Sequence, residues 1–136
     1  QTATVSWSLA RIGLGVSTAV HTGTEPVLGT TLAEYLLLCE EDDETKAIAI
    51  FGEIGGVAEQ EAAEIITRGE VNKPVVAYIA GASLPSGIRF SHASAIVEGG
   101  RGSYDSKKRA LEEAGAIVVE RPIEIAKKIK EILGGC

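Results

Sequence analysis

The chain has 136 residues, of which 45% are hydrophobic, and its formal net charge at pH 7 is -6. This length suffices for a single domain with a hydrophobic core, and the apolar content argues against disorder. The negative charge argues against nucleic acid as a partner. No apolar run is long enough to span a bilayer and no signal-peptide pattern is present, so we expect no membrane association. Cys39 and Cys136 lack metal-ligand spacing, which favours a reducing cytoplasm and no metal site.

The beginning of the chain allows two interpretations. Thr2–Trp7 is rich in strand-forming residues and would form a strand. Alternatively Val5, Leu9 and Ile12 share one face of a helix.

Apolar segments then alternate with helical patterns. The predicted strands are Val16–His21, Ala47–Phe51, Val75–Ile79 and Ala116–Val119. The predicted helices run from a cap at Thr30 or Thr31 to about Cys39, and over Val57–Thr67, Ser103–Ala114 and Pro122–Leu133. Strands separated by single helices imply a parallel sheet, and their continuous apolar character implies helices on both faces. The sequence therefore predicts one flavodoxin-like domain over residues 1–136, an α/β fold with a three-layer doubly wound parallel sheet.

A carboxylate and an imidazole are expected to meet at one edge of this sheet. Glu53 follows a predicted strand, and His92 lies in the long, turn-rich connection Gly81–Gly102 after the next one. Parallel strands of such a sheet end at the same edge. A carboxylate that accepts from one ring nitrogen leaves the other free as a nucleophile. The alternative is a solvated loop histidine and an ordinary helix-flanking acid.

Glycines near both segments are candidates for binding phosphate. Gly55 and Gly56 offer N–H groups at a helix start, where anions bind, although a tight turn needs the same glycines. Gly99 and Gly100 resemble a phosphate-cradling loop, to which Arg101 adds charge. The spacing matches neither a Walker loop nor a dinucleotide fingerprint, so no nucleotide site is predicted in this chain.

The charged residues of the helices have simpler interpretations. Glu59 and Glu61 lie in a first helical turn, where negative charge complements the helix dipole. A solvated helix face is expected to include Lys107, Lys108 and Arg109.

Several segments, in this order along the chain, carry a family resemblance. They are Gly13–Thr18, Gly52–Glu59, Lys73–Gly81, Ser91–Ile96, Gly99–Gly102 and Leu111–Gly115. Together they resemble the C-terminal ligase domain of the succinyl-CoA synthetase α subunit, within the NDP-forming acyl-CoA synthetases. The resemblance covers essentially the whole chain.

The resemblance implies that His92 accepts a phosphoryl group from ATP or GTP, which is bound with Mg²⁺ on an ATP-grasp β subunit. The histidine would pass this group to a carboxylic acid such as succinate, and CoA would displace the acyl phosphate. CoA would be bound by a separate N-terminal Rossmann domain, so this chain itself would bind no cofactor. It would supply part of the active site of a cytoplasmic hetero-oligomeric acid–thiol ligase.

The chain also departs from the family pattern. Ser91 and Ser94 stand where the family usually has glycine, which would stiffen the loop. Residues Gln1–Ile12 align with the first helix, so another segment or polypeptide would have to supply the preceding strand, unless Thr2–Trp7 fills that place. The alternative function is a catalytically inactive flavodoxin-like interaction domain of a CoA-ligase-related complex.

Overall fold

The computed structural model of the protein describes residues 1–23, 29–82 and 102–134. Its elements are α1 (Thr2–Arg11), α2 (Leu32–Glu41), β1 (Ile48–Glu53), α3 (Ala58–Thr67), β2 (Val75–Ala80), α4 (Tyr104–Glu113), β3 (Ile117–Val119) and α5 (Ile123–Gly134). The strands of these residues form one parallel sheet in the order β1-β2-β3. Within the same ranges, every helix is too short or too polar to cross a membrane.

Helices cover both faces of the sheet and create two apolar clusters. On one face, Ile50 of β1 and Ile79 of β2 pack with residues of α2, α3 and α4. On the other face, Val76 of β2 packs with Leu9 of α1 and Ile125 of α5. The central strand is therefore buried on both sides, which explains its continuous apolar sequence. The predicted three-layer α/β fold is confirmed.

The first segment is the helix α1, so the interpretation of Thr2–Trp7 as a strand is wrong. Val5, Leu9 and Ile12 lie on the face that packs into the cluster with α5. Gly13 follows the helix with a φ of 84°, a left-handed conformation that glycine adopts readily. Burial of an apolar helical face thus outweighs the local preference for a strand.

The predicted strand Val16–His21 is also wrong, because this segment has no regular secondary structure. Val16 and Val20 are exposed. In the strand order of flavodoxin, the segment Val16–His21 would be the second strand and would pair only with a strand that precedes α1 in the fold. Residues 1–23, 29–82 and 102–134 contain no strand in that place. A segment without a neighbouring strand cannot satisfy its backbone groups through a sheet.

Candidate functional site

The candidate site is built on the turn between β1 and α3. Glu53 is the last residue of β1, and its side chain is exposed at the carboxyl edge of the sheet. The chain then reverses through Gly55 and Gly56, whose φ angles are 94° and 60°. Residues with a β-carbon rarely adopt this left-handed conformation, so glycine suits both positions. The turn therefore presents the Glu53 carboxylate to solvent beside a tightly bent backbone.

A buried ion pair lies beneath this turn and joins α3 to α4. The ammonium of Lys107 is paired with the carboxylate of Glu59, and the two side chains are 1% and 7% exposed. The same ammonium donates to the carbonyl of Glu53 at 2.7 Å and to that of Gly55 at 2.6 Å. An ammonium has three N–H donors, so these acceptors match its full capacity.

The expectation that Lys107 belongs to a solvated helix face is therefore wrong. Its side chain lies one helical turn before the fully buried Leu111, on the inner face of α4. That four-residue spacing from an apolar position was the available sequence signal. The acceptors for its charge lie on a distant part of the chain, which local periodicity does not reveal.

Glu59 does more than complement the dipole of α3. Its Oε1 accepts from the backbone N–H of Glu53 at 3.2 Å, while its other oxygen is paired with Lys107. A β-carbon at Gly52 would collide with the Glu59 carboxylate, so the close approach requires glycine there. The ion pair consequently holds both the N–H and the carbonyl of Glu53.

The residues that flank segment 83–101 also contact this turn. A β-carbon at Gly81 would lie 2.7 Å from Cγ2 of Ile54. The carbonyl of Gly102 accepts from the N–H of Gly55 at 2.8 Å, and a β-carbon at Gly102 would lie 2.6 Å from the oxygen of Gly56. The chain therefore leaves the turn beside Gly81 and returns to it at Gly102.

The described residues account for only part of the predicted site. The N–H of Gly55 donates to the carbonyl of Gly102, and phosphate binding by Gly55 stays a prediction. Phosphate binding by Gly56 stays a prediction. Five predicted site residues lie outside the described ranges: Ser91, His92, Gly99, Gly100 and Arg101. The predicted contact between His92 and Glu53 thus stays a prediction.

The chemistry available at the described site is that of an exposed carboxylate on a fixed backbone. Such a carboxylate can accept from an imidazole N–H and stabilise positive charge on the ring. Among residues 1–23, 29–82 and 102–134, no group of three or more His, Cys, Asp or Glu side chains is placed to hold a metal ion.

Comparison with known proteins identifies the class to which this fold and site belong. A family model described as CoA-ligase matches residues 3–117, and the chain belongs to this family. The chain is 49% identical over 129 residues to the α subunit 2 of an ADP-forming succinate–CoA ligase of Archaeoglobus fulgidus, covering 95% of this chain and 44% of that protein.

Two further relatives show a similar relationship. A succinate–CoA ligase α subunit of Aquifex aeolicus is 48% identical over 94% of this chain and 42% of its own length. An ADP-forming sulfoacetate–CoA ligase subunit of an Acholeplasma species is 43% identical over 94% of this chain and 43% of its own length. The chain therefore spans less than half the length of these curated relatives.

Solved structures with this fold include ATP citrate lyases. A mutant of the enzyme from Methanosaeta concilii, in complex with (3S)-citryl-CoA, superposes with a TM-score of 0.73 at 26% identity over 82% of this chain and 19% of that chain. The enzyme from Methanothrix soehngenii, in complex with citrate and coenzyme A, gives 0.74 at 26% identity over 83% and 19%.

Proposed function

We propose that this chain is the phosphohistidine-carrying ligase domain of a nucleotide-dependent acid–CoA ligase. The observation that carries the proposal is the position of Gly81 and Gly102, between which His92 lies in the sequence. Both glycines contact the same turn that presents Glu53. Relatives named as α subunits of succinate–CoA ligases support the reaction class.

In the proposed reaction a ring nitrogen of His92 attacks the terminal phosphorus of ATP or GTP, and the nucleoside diphosphate leaves. Glu53 accepts from the other ring nitrogen, which fixes the tautomer and stabilises the ring as it gains positive charge. The phosphoryl group then passes to a carboxylate oxygen of the acid. The CoA thiol attacks the acyl phosphate, forming the thioester and releasing inorganic phosphate.

The other parts of the active site belong to partners in this proposal. An ATP-grasp β subunit binds the nucleotide with Mg²⁺, and a Rossmann domain binds CoA, so this chain carries only the phosphoryl group. Relatives are named for succinate and for sulfoacetate, which supports a small carboxylic acid such as succinate as the substrate. The complex is cytoplasmic.

Labelling of the assembled ligase with γ-labelled nucleotide and Mg²⁺ tests the proposal. We expect an acid-labile, base-stable label on this chain that His92→Asn abolishes. His21, the other histidine of the chain, provides the matched control, and His21→Asn should retain the label. Absence of label from the wild-type complex, or its persistence in His92→Asn, would favour the inactive interaction domain instead.

A further inference from the structure

The turn that carries Glu53 is held at four consecutive peptide units. Glu59 accepts from the N–H of Glu53, and Lys107 donates to the carbonyl of Glu53. The N–H of Gly55 donates to Gly102, and the carbonyl of Gly55 accepts from Lys107. With these groups engaged, the backbone dihedrals on both sides of the Glu53 side chain are fixed.

The ion pair between Lys107 and Glu59 fills this space between α3 and α4 at a larger desolvation penalty than apolar side chains would. Removing two charges from water carries a large desolvation penalty, and apolar side chains of similar volume often stabilise a core as well or better. Apolar side chains, however, cannot donate to the carbonyls of Glu53 and Gly55. The pair therefore supplies directional bonds to the turn that an apolar contact would not.

We propose that Lys107, together with Glu59, positions the Glu53 carboxylate for histidine phosphorylation, and this inference rests on the proposed function. Lys107 is a positioning residue, because its ammonium is buried and bonded to the backbone on either side of Ile54. Its bonds set the point from which the exposed Glu53 side chain reaches toward the reacting group. A small displacement of a positioned group is sufficient to slow a reaction strongly.

The test measures the single-turnover rate of nucleotide-dependent labelling in the assembled ligase. Lys107→Met leaves the Glu59 carboxylate buried without its partner, so a second variant combines Lys107→Met with Glu59→Gln. The glutamine amide introduced by the second substitution is uncharged and retains an acceptor for the N–H of Glu53. We expect both variants to label about 10- to 100-fold more slowly, with an unchanged KM for the nucleotide.

The neighbouring Lys108 provides the matched control. Its side chain is 33% exposed, and its ammonium lies 3.9 Å from Glu112 on the same helix. Lys108→Met removes the same charge from α4 without touching the turn, so the labelling rate should not change. A wild-type rate in the combined Lys107→Met and Glu59→Gln variant would overturn the inference.

A double-mutant cycle with Glu53→Gln distinguishes positioning from general loosening. If Lys107 acts through the Glu53 carboxylate, its substitution should have little further effect once that carboxylate is gone. An equal slowing in both backgrounds would refute positioning.

Hydrogen exchange at the Gly55 amide should accelerate in the combined variant, and this readout does not depend on catalysis. An unlabelled wild type would overturn the proposed function itself, whereas normal labelling of both wild type and variants would overturn only the role of Lys107.

Discussion

Replacement of Lys107 by methionine should destabilise the fold far more than replacement of its neighbour. Methionine keeps most of the side-chain volume but leaves the buried Glu59 carboxylate without its ionic partner and removes the donor for two backbone carbonyls. Removing one partner of a buried ion pair typically lowers the free energy of unfolding by about 3–5 kcal/mol. The unpaired carbonyls contribute to this figure and are not added to it, because all three bonds come from the same ammonium group and are lost together.

The matched surface variant is Lys108→Met. Its pair with Glu112 is partly exposed and long, and such pairs contribute about 0–1 kcal/mol. Equilibrium unfolding in urea, followed by circular dichroism, measures the difference in the free energy of unfolding between the two variants. With a slope near 2 kcal/mol per molar urea, a loss of about 4 kcal/mol moves the midpoint by about 2 M. Midpoints that agree for Lys107→Met and Lys108→Met would refute the assignment of Lys107 as a buried, fully bonded cation.

Two further predictions concern acid stability and Gly102, the glycine that contacts the Glu53 turn. The backbone N–H of Lys73 donates to Oε2 of Glu40 at 3.0 Å and lowers the pKa of that carboxyl in the folded protein, so the ionised side chain stabilises the fold above its ordinary pKa, and this stabilisation is lost as the pH falls through the folded pKa. Glu40→Gln should therefore lower the free energy of unfolding at neutral pH and flatten its dependence on acid. The exposed control Glu41→Gln should do neither in urea titrations at several pH values. Gly102→Ala should lower the midpoint of thermal unfolding more than Gly13→Ala. Both glycines have a positive φ, which strains alanine by about 1–2 kcal/mol, but only at Gly102 would the new β-carbon lie against a carbonyl oxygen. Equal losses in the two variants would contradict that contact.

Much of the fold was predictable because its signals are local. Thr31 begins α2 with a reciprocal capping box to Glu34, and Ser103 caps α4 by accepting from the N–H of Ser106. The apolar run of β2 is buried as its composition predicts, whereas β1 alternates, with Ile48 and Ile50 buried and Ala49 exposed. The prediction failed at Val16–His21, because the described part of the chain offers this segment no strand with which to pair.

Within the described residues, the position of Glu53 was predictable, because the end of a strand in a parallel sheet lies at the carboxyl edge. The buried ion pair of Lys107 and Glu59 could not be predicted in the same way. Lys107 meets carbonyls more than fifty residues away, and its identity as a buried cation depends on how α3 and α4 pack together. Glu59 was recognised as an acid in a first helical turn, a description that also fits many solvated residues.

The contacts of Gly81 and Gly102 with the turn have a consequence for how such a domain can diversify. Both glycines contact the turn after β1, so the described part of the fold holds Gly81 and Gly102 close to the same turn. Doubling the length of a flexible connection adds only about 0.6 kcal/mol of closure entropy. A change in the number of residues between Gly81 and Gly102 would therefore change the closure entropy only slightly. The turn that bears the exposed Glu53 carboxylate can accordingly stay unchanged while the sequence between the two glycines varies.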